Sequence, residues 1–347
     1  MGGSVRTKVS NLSVAVGAGH ARMEDPTAGR SLACVAQYDD RPTVPQTVLH
    51  TRRACELEPG CVYFGLGDLP RLGLNSTVLP TWPVYWRKVA FAALLLRSGQ
   101  CALLISLDAD AVMGAAGTSW FQLELSTRPH AAMLLSGDPP CWPSQNRFCA
   151  GVFALVASPL GLEIMSTWLA AYPERHWHQS SGGSWVCTSG HHRKPCVWAG
   201  PEYEQQAFVD SVMVVPRYRD AILHVPACQL NTACASRAEA AARSVGACHF
   251  MGVSKYHVAE GYLRSFEDGV QTGDTITSDT FCSPNATFRQ FGRTRTCRLH
   301  DMRTRGSLFA NLDPGSARRS NNSMNLGSNT SSNSSSSQSN GFLRQMN

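Results

Sequence analysis

Lysine is scarce in this 347-residue chain: only Lys8, Lys88, Lys194 and Lys255 occur among 31 basic residues, so arginine supplies the rest. A lysine inside a motif is therefore informative. Also missing is any run of the roughly 18–20 apolar residues that a membrane helix needs. The most apolar stretch, Val89 to Leu107, is interrupted by Arg97, Ser98, Gly99 and Gln100. Residues Val5 to Arg30 are polar and glycine-rich and hold no apolar signal-peptide core. The opening Met1-Gly2-Gly3-Ser4-Val5 resembles a myristoylation site, but Arg6 stands where Ser or Thr is required. No two cysteines have C-x-x-C spacing, which argues against a zinc ribbon and a thioredoxin-like centre. There is no internal repeat.

What is present points elsewhere. The net charge of +6 has a local origin: nine arginines from Arg289 onward face only Asp301 and Asp313, and residues 1–288 sit near −1. A basic tail without a basic folded face weakens the case for nucleic-acid binding. Thirteen cysteines, several in close pairs (Cys55/Cys61, Cys141/Cys149, Cys187/Cys196, Cys228/Cys234), suit loop disulfides in an oxidising lumen, with at least one thiol left over. Six N-x-[ST] sequons, at Asn11, Asn75, Asn285, Asn321, Asn329 and Asn333, point the same way. The chain divides into a flexible leader at 1–30, a folded domain at 31–300 and a Ser/Asn-rich, disordered basic tail at 301–347.

Within the folded part, apolar runs alternate with helical stripes. Strands are expected at Ser31–Tyr38, Cys61–Gly65, Cys101–Leu107, Ala131–Leu135, Gly151–Val156 and Ala221–Val225. Helices are expected at Thr43–Leu57, Pro83–Arg97 (Thr81 as cap, Gly99 as stop), Ser158–Tyr172 and Pro201–Met213. This alternation predicts an α/β sandwich with a mixed, mostly parallel central sheet.

Asp108 and Asp110 lie where a buried strand runs out into a loop, the end of a parallel sheet at which ligands bind. Residues two apart on an extended chain face one side, so both carboxylates can meet one hard cation, Mn²⁺ or Mg²⁺, bridging a diphosphate. His249 in His249-Phe250-Met251-Gly252-Val253-Ser254-Lys255 can complete such a site and favours Mn²⁺. Gly252 allows close approach of a phosphate, and Lys255 can neutralise it. Asp138 follows a strand. Asn146 precedes Ala150 and Gly151, whose small size admits a ligand. Glu204 and Gln205 occupy the first turn of a helix, where they either hold sugar hydroxyls or merely complement the dipole.

Taken in order, Tyr85-Trp86-Arg87-Lys88, Leu107-Asp108-Ala109-Asp110-Ala111-Val112, Asn146 with Ala150-Gly151, Glu204-Gln205, and His249 with Gly252 and Lys255 resemble the Golgi α-galactosyl and α-xylosyl transferases. They also resemble the broader nucleotide-diphospho-sugar transferases. The resemblance spans roughly residues 31–265 and implies a Rossmann-like GT-A fold, a UDP-sugar donor, Mn²⁺ and retention of anomeric configuration. It implies that Asp108, Asp110 and His249 bind the metal, while Gly252 and Lys255 contact the diphosphate. Asp138, Asn146, Gly151, Glu204 and Gln205 would line the donor and acceptor pocket. A glycan or glycoprotein acceptor and a Golgi lumenal location follow, with the family's membrane anchor not present in this sequence. The chain departs from the family pattern where Cys149 replaces the asparagine before Ala-Gly and Tyr203 replaces the tryptophan before Glu-Gln. Two rival readings stay open: a catalytically inactive sugar- or nucleotide-binding protein of the same fold, and a D-x-D phosphatase.

Overall fold

A computed structural model describes residues 32–39, 45–72, 79, 81–114, 116–137, 148–189, 194–197, 199–231, 234, 245–250, 259, 263, 287–290 and 293–296. The leader, the tail, the asparagines of all six sequons and the candidate site residues Asp138, Asn146, Gly252 and Lys255 lie outside them.

The first half is built from parallel units. Ala33–Gln37 (β1) leads through Gln46–Leu57 (α1) to Cys61–Phe64 (β2), and Val84–Arg97 (α2) then leads to Leu103–Leu107 (β3). Both β1 and β3 are buried at every position, as strands covered on both faces must be. Next come Ala111–Met113 (β4), Gly117–Ser126 (α3), Met133–Ser136 (β5), Val152–Val156 (β6) and Pro159–Ala170 (α4). A small antiparallel sheet follows, made of Trp177–Gln179 (β7), Trp185–Ser189 (β8) and Lys194–Pro195 (β9). The domain continues with Glu204–Ser211 (α5), Pro216–Asp220 (α6), Ile222–Val225 (β10), Ala227–Leu230 (α7) and Ala247–His249 (β11). Thr287–Gln290 (β12) and Arg293–Thr296 (β13) pair as an antiparallel hairpin.

The central sheet has six strands in the order β10-β5-β6-β3-β1-β2. Strands β2, β1 and β3 run parallel, and β10 runs parallel to β5. Strand β6, in the middle, runs antiparallel to both its neighbours. The mixed, mostly parallel α/β sheet read from the sequence is the one found. Because β6 is reversed, its first residues share an edge with the last residues of β1, β3 and β5. That edge carries the site.

Two local expectations are corrected. Helix α2 does not bury a single stripe: Trp86, Lys88 and every residue from Val89 to Leu96 are inside, because α4 packs over the helix while the sheet lies beneath it. Its cap is Pro83, whose extended backbone starts the helix without a side-chain bond, and not Thr81. By contrast Ser158 caps α4 as its sequence suggests, with its hydroxyl accepting from the Gly161 amide at 3.1 Å. Such a cap contributes about 1 kcal/mol.

The cysteines also depart in part from nearest-neighbour pairing. Cys55–Cys61 and Cys187–Cys196 are bridged, as their spacing suggests. Cys234 joins Cys248, not Cys228, and Cys34 joins Cys101 across 67 residues. Cys149 is a buried free thiol.

Candidate functional site

The chain leaves β3 at Leu107 and closes a tight turn, in which the Ala111 amide donates to the Asp108 carbonyl at 2.9 Å. The two carboxylates therefore converge through a turn, and not through the extended backbone expected from their spacing. The scaffold fixes this turn one carbonyl at a time. Gln37, at the end of β1, donates its amide to the carbonyls of Asp108 (2.8 Å) and Ala111 (2.9 Å). The Thr47 hydroxyl on α1 donates to the Ala109 carbonyl at 2.5 Å. The Phe250 amide donates to the Asp110 carbonyl at 2.9 Å. Four consecutive carbonyls are thus held by protein donors, which fixes the backbone that carries the two carboxylates.

His249 is brought in by strand pairing. Strand β11 runs antiparallel to β4, with His249 opposite Ala111. Its Nε2 lies 3.4 Å from Asp110 Oδ1 and 3.9 Å from Asp108 Oδ2. One ligand atom from each of Asp108, Asp110 and His249 falls within 4.8 Å of the others. An octahedral cation with bonds of about 2.1 Å sets neighbouring ligands about 3 Å apart and opposite ones about 4.2 Å apart. Two carboxylate oxygens and one imidazole nitrogen gathered in this way could hold a divalent cation after small side-chain adjustments.

The imidazole is buried, which opposes its charge. The Asp110 carboxylate, with a further contribution from Cys149, outweighs that burial and raises His249 to about 10. A cation must displace this proton from Nε2 to bind there. Gly151 faces the ring: a Cβ at that position would fall inside the van der Waals envelope of the imidazole, so the site requires glycine. The Gly151 carbonyl also accepts from the Asp108 amide at 2.7 Å.

A second ionic layer lies behind Asp108. Lys88, buried on α2, donates from Nζ to Asp108 Oδ1 at 2.9 Å and Oδ2 at 3.1 Å. The same Nζ lies 3.3 Å from Glu204 Oε1. Burial works against the ammonium, but Asp108 and Glu204 together hold it protonated well above its ordinary range. Glu204 moves upward too, mainly by burial and against the pull of Lys88, and its Oε2 is buried with no hydrogen-bond partner among the described residues. Three indoles set the backbone that presents it. Trp86 (3.1 Å) and Trp177 (3.0 Å) donate to the Glu202 carbonyl, and Trp168 (2.8 Å) donates to that of Glu204.

With this geometry in view, comparison with known proteins finds no matching family model and no matching curated relative. Solved structures do resemble the chain. A glycosyltransferase involved in glycosylation of the major capsid of PBCV-1 has a TM-score of 0.43 at 12% identity, covering 66% of this chain and 97% of that one. The glycosyltransferase GlyE of Streptococcus pneumoniae TIGR4 has a TM-score of 0.39 at 11% identity, covering 71% of this chain and 66% of that one. Mouse xyloside xylosyltransferase 1, in its apo form, has a TM-score of 0.32 at 12% identity, covering 59% of this chain and 87% of that one.

Of the residues singled out in the sequence, the structure gathers Asp108, Asp110, His249, Gly151 and Glu204 at one sheet edge. Gln205 follows Glu204 on α5. Sequence alone does not assign two residues of the cluster to it. Lys88 lies in the Tyr85–Lys88 motif, which gives it no role. Asn231, which contacts His249 at 2.6 Å, gave no local signal at all.

Proposed function

We propose that this chain is a metal-dependent glycosyltransferase that moves a hexose or pentose from a UDP-sugar to a hydroxyl of a glycan or glycoprotein, with retention of configuration. The observation that carries the reading is the Asp108–Asp110–His249 cluster at the carboxyl edge of the sheet. These residues would hold Mn²⁺, or Mg²⁺, which supplies charge neutralisation at the donor diphosphate. Gly252 and Lys255 are assigned to the same diphosphate, and Asn146 and Gly151 to the donor pocket. Asp138, Glu204 and Gln205 are assigned to the reacting sugar and the acceptor. Glu204 has the strongest support of the three, because its carboxylate shares Lys88 with the metal-binding Asp108. Lys88 offsets the charge of the half-buried Asp108 and the buried Glu204 and keeps Asp108 aimed at the cation. The described disulfides suit an oxidising compartment, and we assign the protein to the lumen of the secretory pathway, in the Golgi.

The test is UDP release from a panel of UDP-sugars, with and without Mn²⁺. Release is expected from at least one donor, dependent on the metal. Asp110→Asn should lower it at least ~100-fold, the scale on which a catalytic electrostatic contact acts, with unchanged circular dichroism and melting temperature. Full activity in Asp110→Asn would overturn the metal assignment. Absence of release from every donor would leave a binding protein of this fold.

A further inference from the structure

His249 offers the cation only one of its two ring nitrogens, and the other is engaged deep inside the protein. Its Nδ1 lies 2.6 Å from Asn231 Oδ1, and both residues are buried. The Asn231 amide cannot be turned around, because its Nδ2 donates to the Gly137 carbonyl at 3.3 Å, leaving Oδ1 toward the imidazole. An amide oxygen only accepts, so Nδ1 must carry the proton. Cys149 Sγ also faces Nδ1, from 3.9 Å, a longer and weaker contact than the one to Asn231.

The chain invests structure in this contact. The Asn231 amide closes the end of α7 on the Ala227 carbonyl at 2.7 Å. Three residues later Cys234 is bonded to Cys248, the neighbour of His249. The Gly246 amide donates to the Gln229 carbonyl at 2.8 Å, a further tie between the two segments. The contact sits 18 residues apart in sequence yet is fastened on both sides.

We infer that Asn231 is a positioning residue for the metal centre: it fixes His249 with the proton on Nδ1 and aims the Nε2 lone pair at the point shared by Asp108 and Asp110. Partners of this kind orient imidazole ligands, and their removal lowers metal affinity roughly 10–100-fold. The inference rests on the metal-site reading above.

The experiment is Mn²⁺ titration of the full chain without nucleotide, followed by electron paramagnetic resonance. Asn231→Ala should weaken binding roughly 10–100-fold. Asn231→Asp keeps an acceptor for Nδ1–H but loses the donor to Gly137, so it should stay within about threefold of the wild type. If Asn231→Asp falls as far as Asn231→Ala, the side chain serves only the bond to Gly137, and the inference is wrong. If Asp110→Asn loses Mn²⁺ while Asn231→Ala retains it, the metal site stands and the role of Asn231 does not. If wild type and Asp110→Asn bind Mn²⁺ alike, the metal reading itself fails and takes this one with it. A second measurement needs no variant. Long-range ¹H–¹⁵N spectra of the Mg²⁺-loaded wild type should show His249 protonated at Nδ1, and the opposite tautomer overturns the inference.

Discussion

Lys88 does more at this site than its single charge suggests. It is buried, forked onto both oxygens of the half-buried Asp108, and shared with the buried Glu204. Removing one member of a buried ionic group leaves the others uncompensated, which costs about 3–5 kcal/mol. Lys88→Met should therefore lower unfolding free energy by about that amount in urea titration of the metal-free protein. A change below about 1 kcal/mol, the worth of an exposed pair, would show that water already screens the group. The sequence reveals the parts of this arrangement unevenly. Asp108 and Asp110 are legible because an apolar strand delivers them, and His249 because glycine and lysine follow it. Lys88 meets an acid 20 positions away and another more than a hundred away. Asn231 has no periodicity or spacing to mark it. Both depend on tertiary approach, which no window of sequence contains.

The same boundary between local and distant signals runs through the elements. Strands β1, β3 and β6 and helices α1, α2 and α4 announce themselves as continuous apolar runs or stripes with Gly and Pro stops. Strands β4 and β11 are three residues each, too short to show a period, yet their pairing is what sets His249 beside Asp110. The segment around His249 reads as a turn until its partner strand is known. At the edge of the central sheet, β10 pairs, among the described residues, with β5 alone and carries a titratable group in its middle. Burial first, and then the charge of Arg128, lower His224 to about 4. The unfolded chain thus binds a proton between pH 6.5 and 4 that the folded strand refuses, so stability is full above 6.5 and falls as pH drops toward 4. The loss approaches about 3 kcal/mol. Thermal melts from pH 7 to 4.5 should show it, and His224→Gln should flatten that slope. An unchanged slope in the variant would assign acid sensitivity to other groups.

For the molecule as a whole, class and sheet type were readable from alternation, whereas strand order was not. Nothing local says that β6 inserts between β3 and β5. The cysteines repeat the lesson. Pairs six and nine residues apart were legible, but Cys34–Cys101 joins a strand to the start of its neighbour and needs the sheet in place first. Closing a loop of 67 residues removes unfolded-chain entropy worth about 4 kcal/mol. The double variant Cys34→Ala/Cys101→Ala should lose about that much in urea titration, and a loss under about 1 kcal/mol would mean the sheet alone sets the register there.

The reversal of β6 has one more consequence. In a uniformly parallel sheet, the connection from β5 to the next strand would have to cross from one edge to the other. Here it leaves and returns on the same edge: the Cys149 amide donates to the Ser136 carbonyl at 3.0 Å, beside the Asp108–Asp110–His249 cluster. Lengthening a loop closed in this way costs only about 0.6 kcal/mol per doubling. Residues inserted between Gly137 and Phe148 would therefore leave every strand of the central sheet in register, because the two ends of the connection are already tied.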